Sequence, residues 1–312
     1  MENLAEKIVV KTHSFHIVKG HKGWASSTAF SPDGQTLASA GNDKIIRLWR
    51  IPDGFLIHTL EGHAAWINKI VFSPDGQILA SADYQDIIRL WKVSDGSLLQ
   101  TLYGHVNSIT SMAFSPDSQV LASAGRDETI RLRRISDGSP LHVLKTYTGF
   151  ANSIAFSSDG KILASASNEV AIRLWDTSEG SLLRILYIHT GMVSNVAFSP
   201  NDNILASAAG SQIRLWKATD GSLLRTLEPN SWINSITFSP DGKILASAGD
   251  EKVIHLWKVS DGSLRRVLKG HTNTIINIAF SQDGKTLASA DSGEVIRLWD
   301  MSDSFDYFAL NN

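Results

Sequence analysis

The chain contains no cysteine. Disulfides, thiolate catalysis and cysteine-bound zinc are therefore excluded, and the composition fits a reducing compartment. It also lacks an excess of either charge: 29 Lys and Arg stand against 31 Asp and Glu, a formal net charge of −2. No basic field for nucleic acid is set up, and no polyanion is implied as a partner. No apolar run approaches the roughly 18 residues of a membrane helix. The first residues, MENLAEKIVVKTHSF, do not place a basic stretch before a long apolar one, so they do not read as a secretory signal. A cytoplasmic protein without membrane or nucleic-acid partners is expected. The phosphate loop GxxxxGK[ST], the zinc pair HExxH and the nucleophile turn GxSxG are missing as well. Catalytic residues, a metal and a cofactor are accordingly not expected.

What the chain does have is a repeat. Trp49, Trp91, Arg133, Trp175, Trp216, Trp257 and Trp299 follow one another at steps of 41 or 42 residues. Each unit contains LASA, at 37–40, 79–82, 121–124, 163–166, 205–208, 245–248 and 287–290, and a phenylalanine seven residues earlier. Within a unit, apolar runs of four to six residues are broken by turn signals such as Pro-Asp-Gly. Short runs rich in Ile, Leu, Phe and Trp between such turns are strands, four to a unit. IRLW and LASA are apolar or small on both faces, so each small sheet needs a cover on both sides. Stacking seven such sheets radially covers every face and leaves only short edges. The expected fold is all-β: a single seven-bladed β-propeller with four antiparallel strands per blade.

In period and motif the chain resembles the WD40-repeat family over residues 14–303 or so. The near-identity of its repeats resembles bacterial, notably cyanobacterial, members. Departures are visible. Aspartate follows the tryptophan only at Trp175-Asp176 and Trp299-Asp300, while Arg50, Lys92, Arg134, Lys217 and Lys258 stand there elsewhere. The Gly-His pair has become Thr146-Tyr147, Ile188-His189 and Pro229-Asn230 in three repeats. The resemblance implies a ring closed by the N-terminal strand, here 13–18, with 305–310 (FDYFAL) as a rival for the same edge. The organisation expected is an extension over 1–12, the propeller over 13–304 and a tail over 305–312.

The resemblance further implies a structural network of four side chains, present in the first repeat as His21, Ser39, Asp43 and Trp49. Ser, His and Asp together imitate a hydrolase triad, but the serine recurs in mid-strand in every repeat, where a nucleophile is poorly placed. At the Asp position the later repeats carry Gln85, Asp127, Glu169, a deletion near Gly210, Glu251 and Gly293, so only the first repeat reads as complete. Arg133 replaces the tryptophan of the third repeat. Its long stem is expected to reach Asp127. Drift and a dedicated partner contact both remain open as its origin.

The Arg before Leu-Trp recurs as Arg47, Arg89, Arg131, Arg173, Arg214 and Arg297, a packing and solvation choice rather than a nucleic-acid stripe. Aspartates such as Asp33, Asp75, Asp53 and Asp95 fall in the turns of one face and cap them. On the opposite, upper face, three residues after the His position, come Trp24, Trp66, Ser108, Phe150, Met192, Trp232 and Thr274. Tyr84, Arg126, Asn42, Asn168 and Asp250 form a surround. Two readings stay open: a plug for the central channel, or anchors for a partner. The function expected is a non-catalytic scaffold, a monomer that binds a protein or peptide on its upper face. The alternatives are a sensor module of a larger signalling protein and, behind it, an enzyme with a propeller pocket.

Overall fold

A computed structural model of the protein describes residues 15–18, 21–23, 25–51, 53–146, 149–168, 170–187, 191–200, 204–293 and 295–302. Among them there is no helix, and seven four-stranded antiparallel sheets account for every strand. The innermost strands are Ala25–Phe30, Ile67–Phe72, Ile109–Phe114, Ala151–Phe156, Val193–Phe198, Ile233–Phe238 and Ile275–Phe280. Each touches the inner strands of the two neighbouring blades, so the seven close a ring around a central channel. Blades 1 to 6 run outward in chain order. Blade 7 takes its outermost strand from the N-terminal side: Phe15–Val18 pairs antiparallel with Ile296–Trp299, Phe15 opposite Trp299 and Val18 opposite Ile296. The rival segment 305–310, like Trp24, lies outside the described residues.

The core sits in the seven joints between blades. The third strand of blade 1 alternates: Ile46 and Leu48 point to blade 2, Arg47 and Trp49 back to blade 7. Ile46, Leu48, Leu60, Ala38 and Ala40 thus meet Ile67, Ile70, Leu79 and Trp91 of the next blade in one buried cluster. The closing joint repeats the plan, with Ala288, Ala290, Ile296 and Leu298 against Ala25, Leu37 and Trp49. The small residues of LASA permit this approach, since Ala38 and Ala40 are fully buried and fill little space.

A polar belt reinforces the inner ring. The second residue of six of the seven inner strands donates across a joint to the next blade's backbone. Ser26 donates to Ile67 O, Asn68 to Ile109 O, Thr110 to Ala151 O, Asn152 to Val193 O at 2.9 Å, Ser194 to Ile233 O at 2.8 Å and Asn234 to Ile275 O at 3.1 Å. Blade 7 has Ile276 at that place and is linked by the next residue instead, Asn277 donating to Thr28 O at 2.7 Å. The third residue supplies a second row: Ser27, Ser111, Ser153 and Ser235 accept the N–H of Ile70, Ile154, Val196 and Ile278 at 3.1–3.3 Å.

The lower turns explain the missing Asp after Trp. Where a cation follows the Trp, it pairs with the acid three residues on: Arg50 with Asp53, Lys92 with Asp95, Lys217 with Asp220 and Lys258 with Asp261, all within 2.9 Å. Where Asp follows it, as at Asp176 and Asp300, that carboxylate itself caps the turn by accepting from Ser178 N and Ser302 N. Two solutions thus serve one turn. The first-turn aspartates are engaged likewise: Asp33 accepts from Gln35 N at 3.0 Å and Ser31 Oγ at 2.5 Å.

Candidate functional site

In an antiparallel blade the turn between the second and third strands and the loop entering the first strand share one end. That end is the upper face, and two sets of side chains meet there.

The first set is the histidine network. In blade 1, His21 Nε2 lies 2.7 Å from Ser39 Oγ, Trp49 Nε1 donates to the same Oγ at 2.8 Å, and His21 Nδ1 lies 2.9 Å from Asp43 Oδ1. Arg47 donates to the other carboxylate oxygen at 2.7 Å. With a neutral imidazole every donor is used: Nδ1–H goes to Asp43, the serine hydroxyl goes to Nε2, and the serine oxygen accepts the indole N–H. Burial raises the Asp43 carboxyl, but His21 and Arg47 outweigh it and hold the group well below the usual carboxylate range.

The expectation of a single complete network is corrected. Blade 2 joins His63 to Ser81 at 2.7 Å and to Asp83 at 2.6 Å, with Trp91 on Ser81 at 2.8 Å. Blade 7 does the same with His271, Ser289, Asp291 and Trp299. The carboxylate comes from the end of the second strand, two residues after the serine, instead of from the turn. LASAD in place of LASAG is the signal, and the sequence reading missed it by holding the Asp to one position. Blades 4, 5 and 6 keep the Trp–Ser bond, at Trp175–Ser165, Trp216–Ser207 and Trp257–Ser247, while Tyr147 and His189, at the His position of blades 4 and 5, lie outside the described residues. The serines are fully or almost fully buried, so no substrate reaches them.

Blade 3 joins His105 to Ser123 at 2.8 Å and to Asp127 at 3.0 Å. Arg133 does not reach Asp127, and this expectation is corrected too. Its guanidinium turns outward and donates to Tyr103 O at 2.5 Å and Gly138 O at 3.3 Å. Arg131 stands beside it and opposes an approach of a second cation to the same carboxylate, which Arg131 itself meets at 3.8 Å. Of the other arginines of this row, Arg173 and Arg214 are buried.

The second set is the aromatic rim. Trp66 and Tyr84 are 53% and 57% exposed and meet edge to face, ring centroids 6.3 Å apart. A backbone bond ties their bases together, Tyr84 N donating to Trp66 O at 3.0 Å. The same bond recurs from Asn168 to Phe150 and from Asp250 to Trp232. Phe150 is half-buried under the Arg126 guanidinium, 5.0 Å from its ring centre. Met192 and Trp232 are exposed. Trp66 and Tyr84 thus stand largely in water, Met192 and Trp232 are partly covered, and Phe150 is half-buried. Val106 and Tyr103, both strongly exposed on blades 3 and 2, extend the apolar surface and escaped the sequence reading because they fall outside the repeated rim position. A separate girdle of exposed apolar pairs, Leu98-Leu99, Leu182-Leu183 and Leu223-Leu224, runs along the outermost strands.

A family model for the WD domain, G-beta repeat, matches seven successive segments, 12–50, 54–92, 96–133, 138–176, 180–217, 221–258 and 262–300. No curated protein matches the chain closely enough to describe it. Matched over most of its length, with one blade for each segment, the chain belongs to the WD40 family.

Proposed function

We propose that the protein is a non-catalytic scaffold that binds a protein or peptide partner on its upper face. The observation that carries this reading is the crown of exposed Trp66, Tyr84, Met192 and Trp232 around the channel mouth. Large aromatic side chains left in water on a rigid frame are the usual anchors of an interface. The Ser–His–Asp groups argue for the same class, since they are sealed in the blades and wired as a structural network. The test places a photo-crosslinking residue at Trp66 or, as a control, at Lys161 on the lower face, in cells of the native host. A discrete partner captured from position 66 and not from 161 supports the reading. Equal capture from both, or capture from 161 alone, removes it. Trp66→Ala should change stability by no more than about 0.5 kcal/mol, because the side chain is exposed, and a large drop in melting temperature would mark the rim as core.

A further inference from the structure

Arg131 and Arg133 stand two residues apart on the strand Thr129–Arg134, so their side chains leave it on the same face. They converge on Gly104. A methyl group placed on that glycine would lie 2.6 Å from Arg133 Nη2 and 3.3 Å from Arg131 Nη1. The equivalent glycines show what is unusual here. Gly62 has Arg89 Nη1 and the Trp91 ring beside it, and Gly270 has the Trp299 ring and Arg297 Nη1. Each of those places holds one cation against an indole. Blade 3 holds two cations and no indole. The carboxylate at hand is Asp127, 3.8 Å from Arg131 Nη2. Its oxygens are already taken by His105 Nδ1 at 3.0 Å, Thr129 Oγ1 at 2.8 Å and Val106 N at 3.2 Å. Arg133 donates to the neutral carbonyls of Tyr103 and Gly138 and makes no ion pair among the described residues. The Arg131 Nε is enclosed without a hydrogen-bond partner there. Burial and the Arg131 charge push the Arg133 guanidinium down from its ordinary value. Both side chains keep partial exposure, so the pair is open to solvent. Two guanidiniums brought together repel each other, and one anion between them reverses the sign and fills their forked N–H groups. A phosphoryl group fits best. Near neutral pH it carries close to two negative charges and three acceptor oxygens, enough for both forks, whereas a carboxylate has one charge and two oxygens.

We propose that Arg131 and Arg133, beside Gly104 at the outer end of the joint between blades 2 and 3, form a binding site for a phosphoryl group. The group is inorganic phosphate or a phosphate monoester carried on another molecule. On this reading the residue that departs from the repeat is the one that completes the site. The site does not depend on the aromatic rim and stands or falls independently of it.

Arg133→Trp tests the site with a built-in folding control, because tryptophan is the residue of the other six repeats. Wild type and R133W are unfolded in urea at constant ionic strength across a series of inorganic phosphate, and in parallel of methyl phosphate and of acetate. Saturable stabilisation of the wild type by phosphate, about tenfold in the folding constant once the anion reaches ten times its Kd, and none of R133W, supports the site. A response to methyl phosphate as well supports a carried monoester, and a response to inorganic phosphate alone supports the free ion. Equal responses of the two proteins, no response of the wild type, or an acetate effect as large as that of phosphate overturns the proposal. A second readout is independent of stability. With nitrogen-15-labelled arginine, the Nε–H signals of Arg131 and Arg133 should move with phosphate while that of Arg50, on the lower face, stays in place. Movement of neither, or of all three alike, overturns the site too.

Discussion

Blades 7, 1 and 2 carry the complete histidine network, whereas blades 4 and 6 show only its Trp–Ser half among the described residues. Yet the indoles are buried alike on both sides of the ring, with Trp216 of blade 5 the most enclosed of all at 0% exposure. The strand order and the joint clusters are the same as well. The difference teaches that apolar packing between blades holds the ring, while the imidazole and carboxylate do something more local. They staple the loop that enters a blade to the turn above its second strand: His21 bridges to Asp43, which also accepts Lys22 N at 3.3 Å. At the entry to blade 4, Thr146 Oγ1 lies 2.5 Å from Gly149 O of its own loop and 3.0 Å from Glu128 O of blade 3's upper turn, with one proton to share between the two carbonyls. Trp66 and Tyr84 thus rise from a stapled rim, Trp232 from one that shows no such staple among the described residues.

The strongest way to break this comparison is Trp216→Ala. If packing holds the weaker half, the substitution should cost about 3–5 kcal/mol in urea unfolding, and a cost near that of a surface change would mean that the joints matter less than argued. Asp83→Ala and Asp43→Ala should each cost about 1–3 kcal/mol by leaving a buried imidazole unpaired. Glu251→Ala, on a blade without the network, should stay within about 0.5 kcal/mol. Similar losses at all three positions would erase the distinction between the halves.

Arg133→Trp repairs the third blade. The indole regains Ser123 as acceptor at the expense of two guanidinium bonds to backbone, and a gain of about 1 kcal/mol is expected from restoring the repeat's own residue. A more stable variant that loses a partner captured at the rim would show that Arg133 serves binding.

The smallest effect is the pH dependence near neutrality. Burial depresses the imidazoles of His105 and His271 below their ordinary value of 6.5, against the pull of Asp127 and Asp291. The unfolded chain then binds more protons than the folded one, so stability is full above about pH 6.5 and declines as pH falls below it. Melting temperatures between pH 7.5 and 5 should drop gradually, and His271→Gln should flatten the curve. The lowered carboxyls of Asp43 and Asp127 act in the same direction at lower pH, where their protonation removes the partners of His21 and His105. A melting temperature that rises on acidification contradicts this assignment.

Period, blade number, strand order and the closing strand were all legible in the sequence, because each rests on local chemistry repeated seven times. The phenylalanine-to-LASA interval sets one hairpin, and Pro-Asp-Gly sets its turn. The closing strand was readable because residues 15–18 keep the apolar spacing of their counterparts before a Gly-His pair. What was not legible is where a side chain ends. Asp83 and Asp291 reach the same imidazole position as Asp43 and Asp127 from a different backbone place, and only the geometry of strand end and turn brings the two origins together. Arg133 was expected at Asp127, but Arg131 already stands there and the Tyr103 carbonyl is open to it.

The strand Phe15–Val18 has a mechanical consequence. Six blades are each one continuous stretch of chain, so tension along the backbone has to shear a whole hairpin to open them. Blade 7 is joined from two distant stretches, and its N-terminal contribution is four residues zipped along one edge of Ile296–Asp300. Pulled from the N-terminal side, the ring meets the load at that short strand, one backbone pair at a time, as a zip fastener does.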